Sequence, residues 1–211
     1  MRAIALDPEA APPSTLTIRT RKGFQTIPTI LNRPSPVLPV RAGKLRVFAN
    51  GEAGPDEEPE LFGEFAIPGT SGHYDIFLNR DPKRKDWEKA QAIILPASST
   101  AFPEGSFRLV NLCGIPVMVR VGKETLQLAA RKARLHRAGP GTDGRMLTLQ
   151  ALYQAGDGSA RLFLRTGIKA SSRDRTNIIF YPGRDPKKPC KATWFTQIPP
   201  SPLNEDEDET S

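Results

Sequence analysis

Apolar residues along this chain recur in short runs that alternate with polar residues, which is the pattern of β-strands rather than of helices. The clearest example is 102–128, FPEGSFRLVNLCGIPVMVRVGKETLQL, which holds three strand-like runs. The run at 107–112 is apolar on both faces, as expected for a strand near the middle of a sandwich. The run at 117–121 places three valines on one face, and a Gly-Lys pair then predicts a hairpin that returns through 125–128.

Short strands of the same kind are predicted along the rest of the chain. Turn signals rich in Gly, Pro and Asn separate them at intervals typical of β-sandwiches. Only 81–91 has helical character, and its apolar residues are too few for a core-facing stripe, so a charged loop or an exposed helical turn is expected. The further predicted strands are 16–20, 25–31, 44–49, 61–67, 74–78, 92–95, 133–136, 146–153, 161–165, 177–181 and 192–198.

The run FPEGSFRLVNL, followed by the strand PVMVRVG and a return strand, resembles segments of uncharacterised bacterial envelope proteins with an immunoglobulin-like β-sandwich. The resemblance covers 102–128 well and 44–182 loosely. Its motif marks a fold rather than a chemistry, because Asn111 and Gly122 are strand-end and turn residues. The resemblance implies a periplasmic or secreted setting and no assigned activity.

The pattern and the resemblance together predict an all-β fold, an antiparallel immunoglobulin-like β-sandwich over 40–198. Seven prolines in 1–39 predict an extended proline-rich N-terminal arm, whose strands would lie at sheet edges or dock in extended form. The segment 96–103 is the candidate split into two smaller sandwiches, although strand spacing continues across it and favours one domain. The acidic tail, 199–211, is predicted to be disordered.

The charge of the chain is uneven along its length. The 211 residues carry a formal charge of +7, and without the five acids of 205–209 the remaining 18 acids face 30 bases, a charge of +12. Such a body attracts nucleic acid, acidic polysaccharide or an anionic membrane surface, unless its own tail neutralises it.

Two basic segments, within the range 120–175, supply a candidate polyanion-binding face. If their strands are neighbours, bases spaced by two or four residues form one stripe. Aromatic residues are not interleaved with these bases, so stacking platforms for single strands are not indicated. The alternative is that the bases only solvate the outer face of a sandwich. The candidate residues are Arg131, Lys132, Arg134, Arg137, Arg161, Arg165, Lys169, Arg173 and Arg175.

The cysteines and histidines are too few to indicate a metal site or a cofactor. Cys113 and Cys190 are the only cysteines, and His73 and His136 lie at no ligand spacing from them or from each other. The cysteines form a candidate disulfide if the protein leaves the cytosol, and two buried free thiols are the slightly favoured alternative. His136 is expected at the surface.

Two motifs match the residue pattern of an active site but lack the surrounding structure that its chemistry requires. The glycine-rich stretch 139–144 matches a dinucleotide-binding pattern, but a strand rather than a helix follows it, so an inter-strand loop is expected. Ser71, His73 and Asp75 contain the residue types of a hydrolase triad, but nothing near them supplies an oxyanion hole. No catalytic residue is therefore predicted.

The sequence predicts a non-enzymatic structural or interaction module of the bacterial cell envelope. Its expected partner is another envelope protein or a second copy, and a polyanion-binding module is the alternative function. No run of apolar residues is long enough to span a membrane. The protein is expected in the periplasm or outside the cell if a leader has been removed, and in the cytoplasm otherwise.

Overall fold

The computed structural model describes residues 2–6, 12–20, 23–30, 33–49, 61–69, 72–80, 87, 90–185 and 187–197. This part of the chain is all-β, with fifteen strands and no helix. The charged segment 81–91 is described only at residues 87, 90 and 91, so its predicted state lies outside the described residues. In chain order the strands are β1 (Arg2–Leu6), β2 (Thr15–Thr20), β3 (Gly23–Pro28), β4 (Gly43–Phe48), β5 (Leu61–Ile67), β6 (Tyr74–Asn79), β7 (Gln91–Pro96), β8 (Ser106–Asn111), β9 (Val117–Val121), β10 (Glu124–Leu128), β11 (Ala133–Arg137), β12 (Met146–Gln154), β13 (Ala160–Lys169), β14 (Arg175–Pro182) and β15 (Cys190–Gln197).

The chain divides into two compact units. The first comprises Met1–Ala101 and Tyr181–Lys191, and the second comprises Phe102–Phe180 and Ala192–Ser211. The change of unit after residue 101 falls within 96–103, the segment that the sequence marks as a candidate split. The domain limits drawn from the sequence, 1–39, 40–198 and 199–211, stay predictions.

The first unit contains two sheets, with strand orders β3-β2-β4-β5 and β1-β6-β7. Alternating residues of both sheets point into one hydrophobic core, which includes Ile18 from β2, Val47 from β4 and Ile76 from β6. Trp87 joins this core, and its ring stacks on Phe62 with the centroids 6.2 Å apart. This core explains the period-two alternation of β4 and β5, each of which buries one face, whereas β6 is buried along its whole length.

The strands of the proline-rich segment are integrated into these sheets, so a separate extended arm is not confirmed. β2 lies between β3 and β4, and the expectation that it would be an edge strand was wrong. The reason is that Pro12, Pro13 and Pro28 flank the β2–β3 hairpin instead of interrupting β2, whose amides are free to pair on both sides. β3 is an edge strand, as predicted.

The second unit contains two four-stranded sheets, with strand orders β10-β9-β12-β13 and β11-β8-β14-β15. The predicted hairpin is confirmed, because Val121 and Glu124 pair across a two-residue loop. Gly122 has φ of 60°, as the first central residue of a type II′ turn requires. The three valines of β9 are buried as predicted. The two sheets meet where the rings of Phe163 and Phe180 pack edge to face, with 5.9 Å between the ring centroids.

β8 and β14 are the central strands of their sheet, and both are buried on both faces. They pair in parallel, Ile178 with Leu109 and Ile179 with Val110. β1 and β6 also pair in parallel. The predicted antiparallel arrangement is confirmed for strand pairs such as β9 with β10 and β12 with β13, and does not extend to these two. A parallel pair needs a long crossover between its strands, and the strands β9 to β13 supply one between β8 and β14.

Candidate functional site

The predicted basic residues of the second unit fall mainly on two edge strands. Arg131 and Lys132 precede β11, and Arg134 and Arg137 lie on it. Three further bases, Arg161, Arg165 and Lys169, lie on β13. Arg173 is exposed in the loop before β14, and Arg175 is the first residue of β14.

β11 and β13 are not neighbours, so the condition under which the bases would form a single stripe is not met. Each strand ends a different sheet. Across the sandwich β11 lies near β10, where His136 Nδ1 is 3.6 Å from Glu124 Oε2, whereas β13 packs on β14 through Phe163 and Phe180. The bases therefore form two separate groups at two edges.

The first group we call the β11 basic edge, and it comprises Arg131, Lys132, Arg134 and Arg137. All four side chains are exposed. In the part of the chain that the structure describes, none of them forms an ion pair with a carboxylate. The register explains this: Leu109 and Ser106 are the β8 residues opposite Arg134 and Arg137, and neither can neutralise a positive charge.

Asn111 fixes the turn that leads into the β11 basic edge. Its side chain is fully buried, and Nδ2 donates to the carbonyl of Ala129 at 3.0 Å and to that of Ile115 at 2.9 Å. Its Oδ1 accepts from the amide of Cys113, and its own amide donates to the carbonyl of Lys132 at 2.9 Å. One buried amide thus ties the end of β8 to the turn that carries two of the four bases.

Arg131 holds a strained backbone conformation in this turn. Its φ is 58°, and it is the one non-glycine residue with positive φ among the described residues. The amide of Lys132 donates to the carbonyl of Ala129, which closes the turn around it. A left-handed conformation costs a non-glycine residue about 1 kcal/mol, so glycine would be the favoured residue here if folding alone decided.

His136 is buried, and the expectation of a surface residue was wrong. It is 7% exposed and stacks on Phe107, with 6.1 Å between ring centroids. Burial lowers the pKa of His136, and the charge of Arg134 lowers it further, against the opposing effect of Glu124. His136 therefore adds no positive charge to the β11 basic edge at neutral pH.

The second group, on β13, is partly neutralised. Arg161 Nη2 is 2.9 Å from Asp157 Oδ2. Hydrogen bonds from Ser159 and Arg161 lower the pKa of Asp157 to about 2, so this carboxylate stays charged. Arg165 and Lys169 are exposed and, among the described residues, make no ion pair.

Arg175 departs from its predicted role as a surface base, because it is only 8% exposed. The sequence interpretation started the strand at residue 177, whereas β14 begins at Arg175 and is buried along its length. A buried arginine inside a basic segment is not distinguishable from an exposed one by pattern alone.

Of the three residues of the hydrolase interpretation, the structure describes two, and these two differ in their surroundings. His73 is exposed and lines a cleft of about 540 Å³ in the first unit, together with residues such as Leu38, Val40 and Tyr74. Asp75 is fully buried on β6 and does not line this cleft. Ser71 lies outside the described residues.

The remaining sequence candidates are placed as follows. Cys113 and Cys190 are both buried, and no disulfide joins them. The stretch 139–144 forms the loop between β11 and β12, as predicted, and Thr142 Oγ1 donates to the carbonyl of Gly139. The described residues contain no group of three or more His, Cys, Asp or Glu side chains arranged to hold a metal ion.

Two features of this site escaped sequence reasoning. The buried hydrogen bonds of Asn111 could have been suspected, since it is a polar residue in an otherwise apolar run. The pairing of Arg108 with Asn177, at 2.7 Å between Nε and Oδ1, joins residues far apart in the chain, so no local signal reports it.

No helix in the described part of the chain is both long and apolar enough to cross a membrane. No protein-family model matches this sequence, and a search of curated proteins finds no match to it.

Proposed function

We propose that this protein is a non-enzymatic interaction module that binds a polyanion, a nucleic acid or an acidic polysaccharide, through the β11 basic edge. One observation carries the proposal: four of the seven residues 131–137 are exposed bases, and none has a carboxylate partner among the described residues. Bases without partners release counterions from a polyanion when they bind it, whereas bases already in ion pairs contribute less.

The shape of the edge suits a linear ligand. Arg134 and Arg137 are three positions apart, so they stand on opposite faces of β11 and place bases on both sides of the strand edge. Along an extended strand these two residues are about 10 Å apart. Arg131 and Lys132 continue the charge beyond the start of the strand, so a chain with repeated negative groups contacts several bases at once.

The immunoglobulin-like character of the sandwich and the cell-envelope setting are parts of the same proposal. They rest on the resemblance at 102–128, and two packed four-stranded sheets in the second unit are consistent with it. A periplasmic or secreted protein of this kind meets acidic polysaccharide, and its unpaired sheet edges offer a route to another envelope protein or to a second copy.

The test is binding of heparin and of duplex DNA at several salt concentrations, with the double variant Arg134→Gln/Arg137→Gln. We expect the wild-type affinity to fall steeply with salt, and the variant to lose about ten- to a hundredfold in affinity at low salt with a shallower salt slope. The matched control is Lys44→Gln/Arg46→Gln, which removes the same charge from two bases that already pair with Glu64.

Equal losses in the two double variants would contradict the proposal, because the effect would then follow net charge rather than the β11 basic edge. Absence of binding by the wild-type chain at low salt would also contradict it, and the bases would then serve only to solvate the surface.

A further inference from the structure

Arg175 is a largely buried base whose charge has no carboxylate partner among the described residues. It is 8% exposed, and its Nε is buried with no hydrogen-bond partner. The described residues supply no ion pair to it. An arginine cannot discharge itself by losing its proton, so an unpaired buried guanidinium is costly for a folded protein.

The neighbouring arginine on the same sheet shows how this fold satisfies a buried guanidinium. Arg108 is 3% exposed, its Nε donates to Asn177 Oδ1 at 2.7 Å, and its guanidinium lies 4.2 Å from the ring centroid of Phe102. Both kinds of contact favour a buried cation. Within the described part of the chain Arg175 has no such contact, which distinguishes it from Arg108 in the same sheet.

The strand register places Arg175 in a row with one base of the β11 basic edge. Ser106 on β8 pairs with Arg175 on one side and with Arg137 on the other, so the three residues share a face of the sheet. Neighbouring strands are about 4.8 Å apart, so the backbones of Arg137 and Arg175 are separated by about 10 Å. Two arginine side chains span that distance; because Ser106 between them is 2% exposed, the ligand would meet the outer ends of the two guanidinium groups rather than the strand beneath them.

We propose that Arg175 and Arg137 together bind one tetrahedral anionic group, a phosphate or a sulfate. The guanidinium fork donates two parallel hydrogen bonds to such a group, which would satisfy the buried charge. This inference rests on the proposed function, because the group is a phosphate or sulfate of the polyanion that lies along the β11 basic edge.

The experiment measures the melting temperature of the full chain in inorganic phosphate and in sulfate, with chloride at equal ionic strength as the reference. We expect either anion to raise the melting temperature of the wild-type protein by a few degrees more than chloride does. Arg175→Met should abolish this difference, and in chloride it should melt no lower than wild type because it removes an unpaired buried charge.

Arg108→Met is the matched control. It should melt at a lower temperature, because it breaks a satisfied contact, and still respond to phosphate. Arg137→Gln changes an exposed residue and keeps the test valid if Arg175→Met does not fold. We expect it to weaken phosphate binding about tenfold, as the loss of one charge-assisted pair predicts.

A phosphate response that is unchanged in Arg175→Met or in Arg137→Gln would overturn the inference, as would a wild-type response equal to that in chloride. Heparin binding that survives in those cases would leave the proposed function intact. Conversely, a phosphate response that depends on Arg175, in a chain that does not bind heparin or DNA, would support this anion site and remove the polyanion proposal.

Discussion

Basic residues on β4 and on β11 look alike in the sequence and differ in the structure. On β4, Lys44 Nζ is 2.6 Å from Glu64 Oε1 and Arg46 Nε is 3.2 Å from Glu64 Oε2, because the register sets Glu64 of β5 directly opposite Arg46. On β11, the residues opposite Arg134 and Arg137 are Leu109 and Ser106. The comparison teaches that cross-strand register, rather than the number of bases, decides which charges are free to bind a ligand.

The largest effect on stability is expected from removing the buried side chain that fixes the turn leading into the β11 basic edge. Asn111→Ala removes a buried side chain that donates to three carbonyls and accepts from one amide, and these groups lose that partner. We expect a loss of about 3 kcal/mol in the free energy of unfolding, measured by urea denaturation. Thr125→Ala, an exposed change on β10, should cost less than about 0.5 kcal/mol, and equal losses in the two variants would refute a special role for Asn111.

Arg131→Gly tests whether the left-handed backbone of Arg131 lowers the stability of the fold while its charge contributes to heparin binding. We expect the variant to gain about 1 kcal/mol in unfolding free energy, because glycine accepts a φ of 58°, and to bind heparin more weakly. Lys132→Gly removes the same charge without relieving strain, so it should weaken binding and lower stability. A stability gain in both variants would show that the left-handed conformation of Arg131 is not costly.

A smaller effect is expected on the β4 side. Glu64→Gln should release Lys44 and Arg46 from their shared carboxylate and increase heparin affinity at low salt by about two- to threefold. The hydrogen bonds from Lys44 and Arg46 lower the pKa of Glu64, so it is charged at neutral pH and the change removes a full negative charge. Unchanged affinity would mean that the position of these bases, and not their pairing, keeps them from binding.

The smallest effect concerns pH. Burial lowers the pKa of His136 below 6.5, so the unfolded state takes up a proton more readily than the folded state does. The stability contribution of neutral His136 is therefore present above pH 6.5 and is lost as the pH falls below it. Urea midpoints between pH 7.5 and pH 5 should decline in the wild type and decline less in His136→Gln, with exposed His73→Gln as the control; equal declines would contradict the assignment.

Many strands were predictable from the sequence because, like β4, β5 and β9, they bury one face and so repeat with a period of two. β8 and β14 are buried on both faces and were predicted from their short apolar runs. β5 and β9 are found with the predicted bounds, and most of the other predicted strands begin or end within a few residues of prediction. β1 was missed, since its five residues, RAIAL, owe their strand state to parallel pairing with the distant β6. Pairing partners far apart in the chain leave no local signal.

The candidate site was predictable in its residues and not in its arrangement. The bases of β11 and β13 were all identified, but their placement in different sheets depends on connections that the period-two pattern does not specify. His136 was misassigned because β11 turns Leu135 outward, where it is 41% exposed, and His136 inward onto Phe107. Hydrophobicity alone would have chosen the opposite orientation.

The parallel pairing of β8 with β14 also has a consequence for how the chain is made. β8 ends at Asn111 and its partner begins at Arg175, so roughly sixty residues leave the ribosome between them. At 5 to 20 residues per second this takes about 3 to 12 s. Throughout that interval one long side of an apolar strand has no native neighbour, and a nascent chain in this state is a substrate for chaperones and a starting point for aggregation.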